Sequence, residues 1–301
     1  MKYINLLFIV CLLFQNCKNN THTSISNKKI ENIPYATVSS AQKLDVYLAA
    51  DTSKKSPVII SIHGGAFKFG DKADEQVNPM LEGLKKGYAV VSVNYRLSKE
   101  AQFPAQIQDI KAAIRWVKAN AEKYHFDKNK IVLWGGSAGG YLSALAGVSS
   151  DVPSLDDPTL GNIQENNRVQ AVVDWFGPID FSEMDNQFIK SGKGKPDHND
   201  ANSPESELLG QKITEIIQKV QEANPEKYIS SDDCFFLIQH GTADKLVPVE
   251  QSIHFAQEMQ HILGGNKVQL KLLNDAAHGD AKFGSNENLT IVFDFLEKTL
   301  K

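Results

Sequence analysis

Cysteine is scarce in this chain: Cys11, Cys17 and Cys234 are the three in 301 residues. The first two fall within or at the end of a leader-like segment, so the mature chain keeps Cys234 alone and can close no internal disulfide. Its fold must be held by a packed core, and Cys234, inside the run CFFLIQ, reads as a small buried hydrophobe. Clusters of Cys and His with metal-ligand spacing are missing too, and the chemistry developed below calls for no metal and no cofactor. Nor does charge of one sign dominate. The 32 Lys and Arg against 36 Asp and Glu leave a net charge of -4, with no basic run and no aromatics interleaved with basic residues, which excludes nucleic acid as an expected partner. No apolar run reaches the roughly 20 residues of a permanent membrane span. No internal period is visible, which excludes a solenoid or propeller.

What is present begins with a leader. Lys2 precedes an apolar run from Leu6 to Phe14 that reads as an export signal. The following FQNCKNN resembles a bacterial lipoprotein cleavage site, with Cys17 as the residue that would carry the lipid. The expectation is a signal peptide over residues 1–17 and a protein held at the cell envelope by that anchor. Cleavage by the ordinary signal peptidase, giving a secreted or periplasmic protein, is the alternative. Residues 18–33 are rich in Asn, Thr, Ser and Lys and read as a flexible tether, leaving 34–301 as one domain.

Within that domain, YATVSS and LDVYLAA read as an opening pair of strands. Short apolar runs follow: PVIISI, YAVVSVN, KIVLW, QAVVDWF, CFFLIQ and VQLKLL. They are β-branched or aromatic with little polar alternation, as expected of strands covered on both faces. Between them, Ile107, Ile110, Ala113, Ile114 and Val117 recur at helical steps after Pro104, and Leu289, Val292, Phe293, Leu296 and Leu300 do so in the last segment. Strand and helix in alternation predict an α/β fold with a mostly parallel central sheet and helices on both faces.

Two glycine-rich corners carry the chemistry. Gly135-Gly136-Ser137-Ala138-Gly139 joins the strand KIVLW to the helix SAGGYLSALAGV, the setting in which a G-x-S-x-G serine stands exposed above a sheet edge. A structural or phosphate-approaching turn is the rival, weakened because no Lys follows and no G-x-G-x-x-G opens the helix. The second corner is HGGAF, directly after PVIISI, where a glycine pair leaves main-chain amides open to a substrate.

HGGAF together with GGSAGG resembles the α/β-hydrolase fold carboxylesterases, specifically the bacterial and fungal feruloyl/acetyl esterase-like group near the hormone-sensitive lipases. NYRL, FPAQIQDIKAAIRWV and SPESELLG resemble segments of the same family, so the likeness runs from about Pro34 to the C-terminus. It implies oxyanion donors at the amides of Gly65, Ala66 and Ala138, with His63 shaping the loop. It also implies hydrolysis of carboxylic esters, with acetyl or feruloyl esters of plant polysaccharides as the substrate class.

In this fold the acid and then the histidine follow the serine along the chain. Of eight histidines, His278 in NDAAHGD alone follows the last strand in a small-residue loop, where a base can overhang the sheet edge; His240 reads as a loop support and His198 as part of a polar loop. Asp244 in HGTADKLVP follows the preceding strand and is the chosen acid, with Asp174, Asp275 and Asp280 as open alternatives. The expected mechanism is attack by Ser137, proton transfer through His278, and orientation of the imidazole by Asp244. The stretch from about residue 178 to 232 reads as a small cap whose polar middle, KSGKGKPDHNDANSPES, is a mobile loop. Phe67, Phe69 and Tyr141 are the expected pocket residues, whereas Trp175 and Phe176 read as core. An arylformamidase-like amidase, a prolyl-oligopeptidase-like peptidase and a non-catalytic surface binding protein are the competing readings.

Overall fold

The computed structural model describes residues 28–51 and 53–301; the export signal, Cys17 and most of the tether lie outside them. Eight strands form one sheet: β1 (Lys29–Pro34), β2 (Lys43–Tyr47), β3 (Ser56–Ile62), β4 (Ala89–Val93), β5 (Phe126–Gly136), β6 (Ala171–Trp175), β7 (Phe235–Gly241) and β8 (Val268–Leu273). Their order is β1-β2-β4-β3-β5-β6-β7-β8. The first two strands pair antiparallel, as do β2 and β4, and all later pairs are parallel. The expected apolar runs supply β3 to β8, because a strand covered on both faces can carry apolar residues at every position.

The opening pair differs from the expectation. YATVSS is a bend, and the partner of β2 is β1, which begins at Lys29 within the stretch read as tether. Its sequence KIENIP is mostly exposed, with Ile30 and Ile33 alone packing on the core. Such an edge strand has no apolar run to announce it.

Helices α1 (Asn78–Leu81), α2 (Ala105–Ala119), α3 (Ala121–Tyr124) and α4 (Ala138–Val148) connect the first strands. After β6 come α5 (Met184–Ser191), α6 (Pro204–Leu209) and α7 (Ile217–Ala223), followed by α8 (Val249–Leu263) and α9 (Asn286–Thr299). Residues of β3 alternate between two cores. Val58, Ile60 and Ile62 pack with Ile107, Ile114, Leu142 and Phe255 from α2, α4 and α8, while Ile59 packs with Met80, Leu84, Val292 and Phe293 on the opposite face. This is the doubly covered sheet of the α/β-hydrolase fold. With the core so arranged, the loops after β3, β5, β7 and β8 gather at the carboxyl edge of the strands.

Candidate active site

Ser137 caps α4 with φ 56° and ψ −122°, a conformation few L-residues adopt. The neighbouring glycines explain how the chain holds it. A Cβ on Gly139 would lie 2.0 Å from the carbonyl oxygen of Ile62, and one on Gly135 would lie 2.7 Å from the same atom. The corner therefore presses directly on the end of β3, and only bare backbone fits. The Ser137 amide donates to the Trp175 carbonyl at 2.9 Å, which ties the corner to β6.

His278 Nε2 lies 2.9 Å from Ser137 Oγ, and His278 Nδ1 lies 2.7 Å from Asp244 Oδ2. Three residues from three different loops thus form one hydrogen-bonded chain. Asp244 is buried, and its other oxygen accepts the amides of Leu246 and Val247 at 2.8 and 2.9 Å. Burial pushes its carboxyl up, but the hydrogen bonds from His240 and His278 outweigh that and hold it well below the ordinary carboxylate range. It therefore stays ionised beside the imidazole. With Nδ1–H donating to that carboxylate, Nε2 is left to accept the serine proton.

Sequence reasoning foresaw these three residues and read His240 as a loop support; the loop it supports is the one that carries Asp244. His240 is fully buried, with Nε2 at 3.3 Å from Asp244 Oδ2 and 3.1 Å from the Val247 carbonyl, and Nδ1 at 2.7 Å from Ser252 Oγ. Phe176, expected in the core, stands edge-on to His278 at 4.7 Å between ring centres and fixes the imidazole from the side. Its φ of 44° breaks the strand direction at the end of β6, a feature that composition does not reveal. The alternative acids lie elsewhere. Asp280 caps a short 3-10 turn, Asp275 is exposed, and Asp174 is buried under α4 with its only hydrogen bond from the Gly177 amide.

The loop after β3 runs beside the serine: a Cβ on Gly64 would lie 3.4 Å from that of Ser137. Gln76 Oε1 accepts the Gly64 amide at 2.8 Å, and the Gly65 carbonyl accepts Lys68 and Phe69 in a tight turn. The amides of Gly65 and Ala66 take part in no such bond, and Ala138, as the first residue of α4, has no intrahelical partner for its own. Among the described residues these three amides thus keep no backbone partner, and the positive end of the α4 dipole lies at the serine that caps it. His63 braces the turn: Nδ1 donates to the Gly64 carbonyl at 2.8 Å and the ring stacks on Tyr95. Burial pushes its pKa down, so it is a neutral support.

Two cavities meet at Ala66, Ser137 and His278. The first, of about 640 Å³, includes Phe67 and residues of the segment after β6; the second, of about 690 Å³, includes Phe69, Trp175 and Phe176. Tyr141 lines neither. It is fully buried against Phe67 and Phe181, and its hydroxyl donates to the Ala223 carbonyl at 2.7 Å, so it anchors the inserted segment to α4 rather than touching a ligand. The helical direction of α4 turns that side chain away from the serine. The middle of the insertion, read as a mobile loop, is tied down: Asp185 of α5 accepts the amides of His198 and Asn199, and Lys193 Nζ donates to the Thr242 carbonyl after β7 at 3.1 Å. Among the described residues, no group of three or more His, Cys, Asp or Glu could hold a metal, and no helix is long and apolar enough to cross a membrane.

A family model described as BD-FAE matches residues 44–259, a span that holds the serine corner and Asp244. The chain belongs to the BD-FAE family. A probable carboxylic ester hydrolase of Mycobacterium tuberculosis, LipM, is 32% identical over 239 residues, which cover 76% of this chain and 51% of that protein. The chain spans about half the length of the curated relatives it matches. Among solved structures, a truncated carbohydrate esterase from gut microbiota superposes with a TM-score of 0.81 at 33% identity, covering 90% of this chain and 96% of that one. A bifunctional GH43-CE protein of Bacteroides eggerthii gives a TM-score of 0.80 at 35% identity, covering 91% of this BD-FAE chain and 35% of its own.

Proposed function

We propose that this BD-FAE protein is a serine carboxylesterase acting on acyl esters of carbohydrates, with acetyl and feruloyl esters of plant polysaccharide fragments as the substrate class. The observation that carries the proposal is the unbroken chain from Ser137 Oγ through His278 to Asp244, set between two cavities and beside amides that keep no backbone partner. The names of its structural relatives support the carbohydrate part. In this mechanism His278 Nε2 takes the hydroxyl proton as Ser137 Oγ attacks the acyl carbon. The negative oxygen of the tetrahedral intermediate is met by the amides of Gly65, Ala66 and Ala138, each of such donors being worth about 10²- to 10³-fold in turnover. His278 returns the proton to the departing sugar alkoxide, and a water activated by the same nitrogen then releases the acid from the acyl-enzyme. Asp244 holds the imidazole in the required tautomer throughout.

The test is release of acetate and ferulate from native xylan fragments, with Ser137→Ala as control. The expected result is product with the wild type and a loss of at least about 10⁴-fold in the variant. Equal release by both proteins, or none by a folded wild type, would overturn the proposal.

A further inference from the structure

The two cavities beside Ser137 are both mainly apolar at their surface but draw on different elements. The one facing β6 and the loop after β8 carries the rings of Trp175, Phe176 and Phe283 on its walls, beside Glu75, Gln76 and Asp280. The other is walled on its far side by polar and charged side chains of the insertion, among them Lys195, Asp197, His198 and Glu205. Most of these are exposed, as surface residues ordinarily are, but His198 and Glu205 are buried at 9% and 3% exposure.

A buried ionisable pair carries a desolvation cost that packing alone does not require. His198 Nδ1 lies 3.1 Å from Glu205 Oε2. The residue is held from other sides as well. Asp185 takes its backbone amide at 2.8 Å, and Phe188 stacks on the ring at 5.9 Å between centres. Gly194 lets the loop cross Phe188, since a Cβ there would lie 2.4 Å from the phenyl ring. Nε2, by contrast, has no hydrogen-bond partner among the described residues and is not sealed from solvent. A rigidly mounted ring with one free nitrogen on a cavity wall is how a protein fixes a single polar contact to a ligand. Burial pushes the imidazole pKa down, but the Glu205 hydrogen bond and the nearby Asp185 and Asp197 carboxylates outweigh it and leave the pKa raised. A sugar hydroxyl both donates and accepts, so it can pair with the free Nε2 in either protonation state.

We infer that the cavity walled by the insertion is the sugar-binding half of the cleft, in which His198, oriented by Glu205, hydrogen-bonds through Nε2 to a hydroxyl of the sugar bearing the ester. The acyl group then occupies the aromatic cavity. This inference rests on the carbohydrate-ester reading above and adds which residues select the alcohol.

The experiment compares kcat/KM for acetylated xylo-oligosaccharide, 4-nitrophenyl acetate and 4-nitrophenyl ferulate in the wild type and in the double variant His198→Phe/Glu205→Leu. The double change removes both members of the pair, so no lone buried charge remains. Each comparison is a ratio within one preparation, so any unfolded fraction cancels. The ratio of oligosaccharide to 4-nitrophenyl acetate is expected to fall by about 10- to 100-fold, chiefly through KM, as when a bound polar group is left without its hydrogen-bond partner. The ratio of ferulate to acetate is expected to stay within about threefold, the scatter of a contact that is not made. His198→Gln, which keeps a polar group on the wall, should give an intermediate loss. An unchanged oligosaccharide ratio in a wild type that does cleave the oligosaccharide would overturn this inference alone. A fall confined to the ferulate ratio would also overturn it, by putting the acyl group in the cavity walled by the insertion. A wild type active on 4-nitrophenyl acetate but inert on the oligosaccharide would overturn the carbohydrate reading and this inference with it.

Discussion

Asp174 shows what a single residue contributes when it is close to the chemistry without belonging to it. Its carboxyl is completely buried, and burial raises its pKa to about 7, with the Gly177 amide pulling the other way. An acid that holds its proton more tightly in the folded than in the unfolded chain stabilises the fold fully below the unfolded value of about 3.9 and loses that contribution as pH rises towards 7. Asp174 should therefore lower stability by up to about 1.4 kcal/mol for each pH unit within that window. Asp174→Asn is expected to flatten this part of the profile, so the variant gains on the wild type in urea midpoint as pH rises from about 4 to about 7. A constant difference between the two across that range would contradict the assignment. Ser137, Asp244 and His278 were legible because each closely follows an apolar run that fixes where it must emerge. His240 was legible only as a loop support and Phe176 only as core; their contacts with Asp244 and His278, and that of His198 with Glu205, were not legible, because no local pattern encodes them.

At the scale of elements, the site depends on how closely α4 and the end of β3 approach. Gly139 is the tightest point, with 2.0 Å between the place a methyl group would take and the Ile62 oxygen. Gly139→Ala must push the helix off the strand. It should cost at least about 1–3 kcal/mol, read as a lower urea midpoint, with a loss of esterase activity in the remaining folded protein. Gly265→Ala is the control, since a Cβ there meets nothing within 4 Å. Equal stability of the two variants would show that the corner is not under this constraint. The buried strands and the α2 and α9 stripes were readable from their periodicity. The edge strand β1 and the ordered loop of the insertion were not: their residues face water on most sides, and backbone pairing with β2 in the one case and hydrogen bonds to Asp185 in the other hold them instead of a broad apolar face.

Across the whole molecule, a sheet covered on both faces leaves its carboxyl edge as the place where four loops converge, and the insertion after β6 closes one side of that edge. The result is a cleft of two halves meeting at one serine, one walled by aromatic rings and the other by the insertion, which suits the proposed ester with its acyl part and its sugar part. The family resemblance was readable from two glycine corners; the division of the cleft was not, because its walls come from loops far apart in sequence. All of this chemistry depends on Ser137 Oγ being the atom that becomes acylated. The most direct measurement is intact-protein and peptide mass spectrometry after treatment with a fluorophosphonate, run on the wild type and on Ser137→Ala. One adduct, localised to the peptide carrying Ser137 and absent from the variant, is the predicted result. A folded wild type left unlabelled, or labelled equally in the variant, would contradict it.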